Sequence, residues 1–233
     1  MWPYYWYGYY PYYWYRPYPY GYWIGPGVSN YYYYNYQTPT AESDSGYEVQ
    51  EPDYEAFRRA RERLEKQEQE TAEQSRTQTD VDFDEGIKAF EQGDYGVAAA
   101  KFARAAKSTP EDIVLPFAYS QALLAGKEYQ KAAEVLRDAI GRLKLKEEGV
   151  FYPRGLYASD TELEKQILEL EVAAKGSPTD YDLQLLAGYQ HLGMNRLDVA
   201  RKYLEAAKND VVNGPAARSL LSLLAKLEAE AVE

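Results

Sequence analysis

From residue 79 onward, apolar residues recur every three or four positions, the spacing of helices that each bury one face. The pattern also carries a longer beat. Gly86, Ser120 and Gly188 stand in one column, at intervals of 34 and twice 34 residues, and Ala98, Ala132 and Ala200 stand in a second. Phe102, Leu136, Leu170 and Leu204 make a third column; Ala105, Ala139, Ala173 and Ala207 make a fourth. Four columns in one register define a repeat. Within it, GIKAFEQGDYGVAAAKFARAAKSTPED predicts a helix ending near Gln92, a tight turn at Gly93 and Asp94, and a second helix ending near Ser108. Thr109 is placed to cap the next helix, with Pro110 in its first turn. The small columns suit places where paired helices cross at roughly 8–10 Å, and the bulky column fills the space between successive pairs.

This pattern resembles the tetratricopeptide repeat (TPR), a 34-residue helix–turn–helix unit. The resemblance implies an all-α, TPR-like helical-hairpin solenoid over residues 79–233. Its units are 79–112, 113–146, 147–180 and 181–214, and the stretch 215–233, with AARSLLSLLAKLEAEAVE, is a C-terminal capping helix. The third unit is degenerate. Its second helix is present as DTELEKQILELEVAAKG, opened by a capping box from Ser159 to Glu162, but EEGVFYPRGLYAS stands where a first helix belongs and predicts a loop or broken helix.

In TPR folds the first helices line a groove. Carried over position by position, this implies a partner-binding surface of Phe83, Ile87 and Phe90, then Val114, Phe117, Gln121 and Leu124, then Leu185, Tyr189 and Leu192. That set is mostly apolar and lacks the Lys and Asn residues with which some TPR proteins clamp a terminal carboxylate. It suits an amphipathic helix or an extended apolar peptide. The alternative is a groove filled from within, by the linker helix described next or by the GVFYPRGLY segment.

Upstream the pattern dissolves. Residues 2–23 hold fifteen aromatic rings and one charge, interrupted by Pro3, Pro11, Pro17 and Pro19. Residues 1–42 are expected to be a disordered Tyr/Trp/Pro/Gly-rich tract without helix or regular strand, because rings with no companion layer cannot offset chain entropy of about 1–2 kcal/mol per residue. Residues 43–78 form a charged linker, predicted helical from about residue 54, where Glu55 with Arg59 and Glu62 with Lys66 are acid-then-base pairs four apart. Tyr and Trp carry flat faces with a polar tip, so the tract suits carbohydrate, membrane-interface or aromatic contacts through residues 2–36. A Tyr/Pro-rich leader ahead of such repeats, with the LY-x-S segment in the third unit, is similar to a group of bacterial cell-envelope TPR proteins. This implies an envelope or periplasmic location; no secretion signal is seen after Met1, so for an exported form the expectation is either a signal further upstream or a misplaced start.

Composition narrows the chemistry. A net charge of −11 and a pI near 4.8, without a Lys/Arg cluster, argue against nucleic acid. Zero cysteines exclude disulfides and thiolate metal sites, and no stretch has the form of a transmembrane span. His191 is the only histidine and takes an inward, packed position in the register. DVDFDEGIKAFE spaces its acids like a calcium loop, but the sixth position, where that loop needs glycine, is Glu85. No catalytic, metal or cofactor site is expected. The expected function is a non-enzymatic protein–protein scaffold with an aromatic arm for surface association. The alternative is a structural envelope component acting through that arm, its repeats a spacer or oligomerisation module.

Overall fold

The computed structural model describes residues 21–25, 77–143 and 149–230. The linker expected to be helical from about residue 54, and the aromatic tract apart from 21–25, lie outside the described residues. Those described are mainly helical, as an all-α reading requires: α1 (Gln78–Glu91), α2 (Tyr95–Ser108), α3 (Leu115–Ala125), α4 (Tyr129–Arg142), α5 (Asp160–Gly176), α6 (Tyr181–Gly193), α7 (Leu197–Ala207) and α8 (Gly214–Glu230). Two short strands, β1 (Tyr22–Ile24) and β2 (Val150–Tyr152), pair antiparallel, and a 3₁₀ turn follows at Arg154–Leu156.

The helices start and stop for local reasons. Thr77 and Asp80 form a reciprocal capping box that opens α1. Chain reversal after α1, α3 and α6 uses one device. Gly93 (φ 80°), Lys127 (φ 63°) and Asn195 (φ 56°) take the left-handed conformation. After each, the next N–H returns to the helix at 2.9 Å: Asp94 to the Ala89 carbonyl, Glu128 to Leu123, Arg196 to His191. These three positions keep the 34 and twice-34 spacing, so backbone geometry repeats with the side-chain columns.

At the crossings the small columns are close-packed. A methyl on Gly86 would stand 2.7 Å from the Phe102 ring, and one on Gly188 would stand 2.6 Å from Leu204. The Ser120 hydroxyl donates to the Ala132 carbonyl at 2.8 Å. Ala98, Ala132 and Ala200 are wholly buried, as are Phe102, Leu136, Leu170 and Leu204.

Several local expectations are corrected. Thr109 ends α2 rather than capping α3, and its hydroxyl lies 3.0 Å from that of Thr79. The Asp112 carboxylate instead accepts from the N–H groups of Val114 and Leu115, which delays α3 and puts Pro116, not Pro110, in its first turn. Ser159 caps α5 through the Glu162 N–H, but the Glu162 carboxylate is drawn away to Tyr95. In α5 the inward alanine is Ala174, while Ala173 is only half-buried. That shift follows from the stacking: α6 packs directly against α4, and α5 packs chiefly on α6. The stretch 149–176 is therefore an excursion from the stack. The largest departure from expectation is β1, a regular strand inside the aromatic tract.

Candidate functional site

The ten predicted groove residues lie on α1, on or just before α3, and on α6. All are at most 8 % exposed. Their face is covered by the chain's own segment 149–157, one of the two alternatives the sequence leaves open. Phe117 meets Phe151 (ring centroids 6.3 Å) and stacks on Tyr189 (6.1 Å), and Phe90 takes the edge of Tyr157 at 5.0 Å. Phe83 instead turns into its own hairpin, against Phe102 at 5.5 Å. Ile87, Val114, Leu124, Leu185 and Leu192 join the same apolar core.

Burying a segment with this many polar atoms requires partners for them, and α3 and α6 supply these. The Tyr152 hydroxyl donates to Gln190 Oε1 at 2.9 Å, and Gln190 Nε2 donates to Gln121 Oε1 at 2.9 Å. Gln121 Nε2 donates to the Tyr157 hydroxyl at 2.7 Å, which donates in turn to Gln166 Oε1 at 2.6 Å. The Tyr189 hydroxyl donates to the Phe151 carbonyl at 2.5 Å. Burial pushes the phenols of Tyr152, Tyr157 and Tyr189 well above their ordinary range, so each remains a neutral hydrogen-bond donor.

Onto this base β1 is laid. Tyr22 pairs with Tyr152, Trp23 with Phe151 and Ile24 with Val150. Tyr22 meets Tyr152 edge-on at 5.8 Å and Trp23 meets Phe151 likewise at 5.7 Å. The Tyr22 hydroxyl donates to the Gly193 carbonyl. Glycines make the approach possible: a methyl at Gly149 (φ 73°) would overlap the Ile24 carbonyl, one at Gly21 the Phe151 ring, and one at Gly193 the Tyr152 ring. A cleft of about 440 Å³ opens beside the start of β1, lined by Tyr22, Arg154 and Asp160 among others.

α5 clasps the edge of this assembly. Glu162 accepts from the Tyr95 hydroxyl at 2.6 Å, Glu169 pairs with Lys127 at 2.9 Å, and Glu164 pairs with Arg196. Burial first, and then the bond to Glu162, pushes the Tyr95 phenol up to about 12. His191 is buried and stacks on Tyr203 at 5.5 Å. Its Nε2 lies 3.0 Å from Glu171 Oε1. Burial holds His191 below its ordinary range despite Glu171. The acids of DVDFDEGIKAFE stand on a helix: Asp80 serves the cap, and Asp82 pairs with Arg104 at 3.0 Å and Lys101 at 3.4 Å. No cluster of three metal-binding side chains occurs among the described residues.

Sequence reasoning missed the strand pair, together with Gln190, Gly193 and Tyr157 as its supports. A signal was present. GYWIG, bounded by glycine at both ends, and GVFYP, bounded by glycine and proline, are short aromatic and β-branched runs with the composition of a paired strand.

Scans of this chain against protein-family models, curated proteins and solved structures each returned no match. No helix among the described residues is long and apolar enough to cross a membrane.

Proposed function

We propose that this chain is a non-enzymatic, TPR-like scaffold whose helical hairpins carry an aromatic N-terminal arm to a surface, the cell envelope by the resemblance stated above. Support for the TPR-like solenoid comes from the 34-residue spacing, kept both by the buried small residues and by the left-handed turns. The observation that carries the functional reading is β1. Within the aromatic tract, residues 22–24 are rooted on the helical body by strand pairing, two ring contacts and the Tyr22 bond to Gly193. Deleting residues 1–20 tests it. Retention in the envelope fraction is expected to be lost while the helical circular dichroism persists, and unchanged retention overturns the reading.

A second reading keeps the groove as a partner site for a peptide or amphipathic helix. It rests on the continuity of the apolar surface formed by Phe90, Phe117, Tyr189 and their neighbours. A partner there must displace segment 149–157. Protease protection of that segment would fall when the partner binds, and unchanged protection in a formed complex excludes the groove.

A further inference from the structure

β2 has anchors besides β1. Its anchors, Tyr152 on Gln190 and the Phe151 carbonyl on Tyr189, both belong to α6. Removing β1 would leave β2 as an open strand edge, and such an edge is a template for another extended chain. The edge is also selective. Close approach at Gly149 and Gly21 admits glycine-flanked backbone, and the Gly193 carbonyl reads a tyrosine hydroxyl at the first paired position. The segment of this chain that meets these demands is 21–25 itself. The intervening chain is long: with the helix expected from about residue 54, residues 26–76 can span roughly 125 Å, at about 3.3 Å per extended and about 1.5 Å per helical residue. Three paired residues are a small holding contact, because a two-stranded ribbon by itself is marginal.

We propose that the β2 edge also takes residues 21–25 of a second copy of this chain, joining copies by reciprocal strand exchange. Exchange of an identical element is a low-cost route to association. The same bonds form in either arrangement, so concentration decides between them. A tethered strand acts at an effective concentration in the millimolar range for short flexible linkers and less for long ones. The closed single copy therefore dominates in dilute solution, and exchange grows where copies are crowded. The inference stands whether or not the arm reaches an envelope.

The chain has no cysteine, so introduced thiols report alone. Full-length Trp23→Cys is mixed with full-length Phe151→Cys, the two positions being direct cross-strand partners, and the mixture is oxidised at rising protein concentration. Disulfide-linked mixed dimers should exceed, at least fivefold, those from Trp23→Cys mixed with Val211→Cys, where Val211 is fully outside and only collision can link the copies. Adding Gly149→Ala to the Phe151→Cys copy should return the yield to that collisional level. A yield equal to the collisional control overturns the proposal, as does failure of the double variant Trp23→Cys/Phe151→Cys to close internally. Native mass spectrometry of the unaltered chain gives a second readout. Dimers should rise with concentration and vanish in Gly149→Ala; dimers that persist there, or no dimers at any concentration, overturn it.

Discussion

The hairpin α6/α7 and the stretch 147–180 that precedes it follow the same 34-residue beat, yet only one of them is a hairpin. The bulky column survives in both, since Leu170 and Leu204 are equally buried. The small columns differ. One repeat after Ser120 stands Arg154, and one repeat after Ala132 stands Gln166. At the equivalent crossing in α6/α7, a single methyl on Gly188 would already stand 2.6 Å from Leu204, so neither an arginine nor a glutamine fits such a place. The segment leaves the stack instead. Arg154 turns to Asp160 at the rim, Gln166 accepts from Tyr157, and α6 closes against α4. A large apolar side chain is satisfied by any burial, whereas a close crossing tolerates almost nothing. The small positions therefore decide whether a unit is a hairpin.

Transplanting the third unit's residue into a regular one should break that unit. Ala132→Gln puts a carboxamide where no solvent reaches. Overpacking costs about 1–3 kcal/mol and an unpaired amide about as much again, so a loss on the order of 4 kcal/mol is expected in urea denaturation. A loss below about 1 kcal/mol would mean that the small columns do not decide the packing.

The excursion in turn depends on polar pairing that the hairpins do not need. Gln190→Leu leaves the Tyr152 hydroxyl and Gln121 Oε1 without a partner, at about 1–3 kcal/mol for each group. Adding Tyr152→Phe removes one of the orphaned groups and should restore part of the loss, an interaction that a double-mutant cycle measures directly. Additive losses would show that the two side chains act independently.

How legible each region was follows the same division. Helix ends, the turn at Gly93, the start of α8 and the inward place of His191 could be read from local pattern and spacing, because each depends on a few neighbouring residues. That the groove face belongs to the interior could be read only as one of two alternatives, with GVFYPRGLY a candidate cover. Its cover comes from segment 149–157 and from β1, and β1 precedes its partner strand by well over a hundred residues; no periodicity records that pairing. The glycines bounding both runs were visible, but their meaning needs the opposite strand: Gly149 is demanded by the Ile24 carbonyl, not by its own neighbours.

A smaller effect comes from pH. His191 on α6 faces Glu171 and Glu164 of α5, Arg196 after its own helix, and Tyr203 of α7. Its folded pKa lies below the ordinary 6.5, chiefly because burial disfavours the imidazolium. Between the folded value and 6.5 the unfolded chain binds more protons, so stability is full above 6.5 and falls as pH drops below it. Glu171, held below its ordinary range first by Lys175, adds a loss in the same direction at lower pH, below about 4.5. His191→Phe should flatten the slope between pH 7 and 5 in thermal melts and leave the more acidic limb. An unchanged slope would assign it to other groups.

The smallest effect is expected at the residue that marks the third unit's departure. Arg154 and Asp160 form a two-pronged pair, at 3.0 Å through Nε and 2.6 Å through Nη2, and the arginine holds the Asp160 carboxyl below its usual range. Yet the pair stands in water, with the Asp160 side chain 65 % exposed, and exposed ion pairs are worth about 0–1 kcal/mol. Arg154→Ala should therefore change stability by less than about 1 kcal/mol, far less than Ala132→Gln, although both positions belong to the small columns of the repeat. A loss above about 2 kcal/mol would mean that Arg154 actively organises segment 149–157. A small loss would mean that the residue acts by being too large for the stack, and that the glutamine network and the glycine-bounded strands hold the segment once it has left.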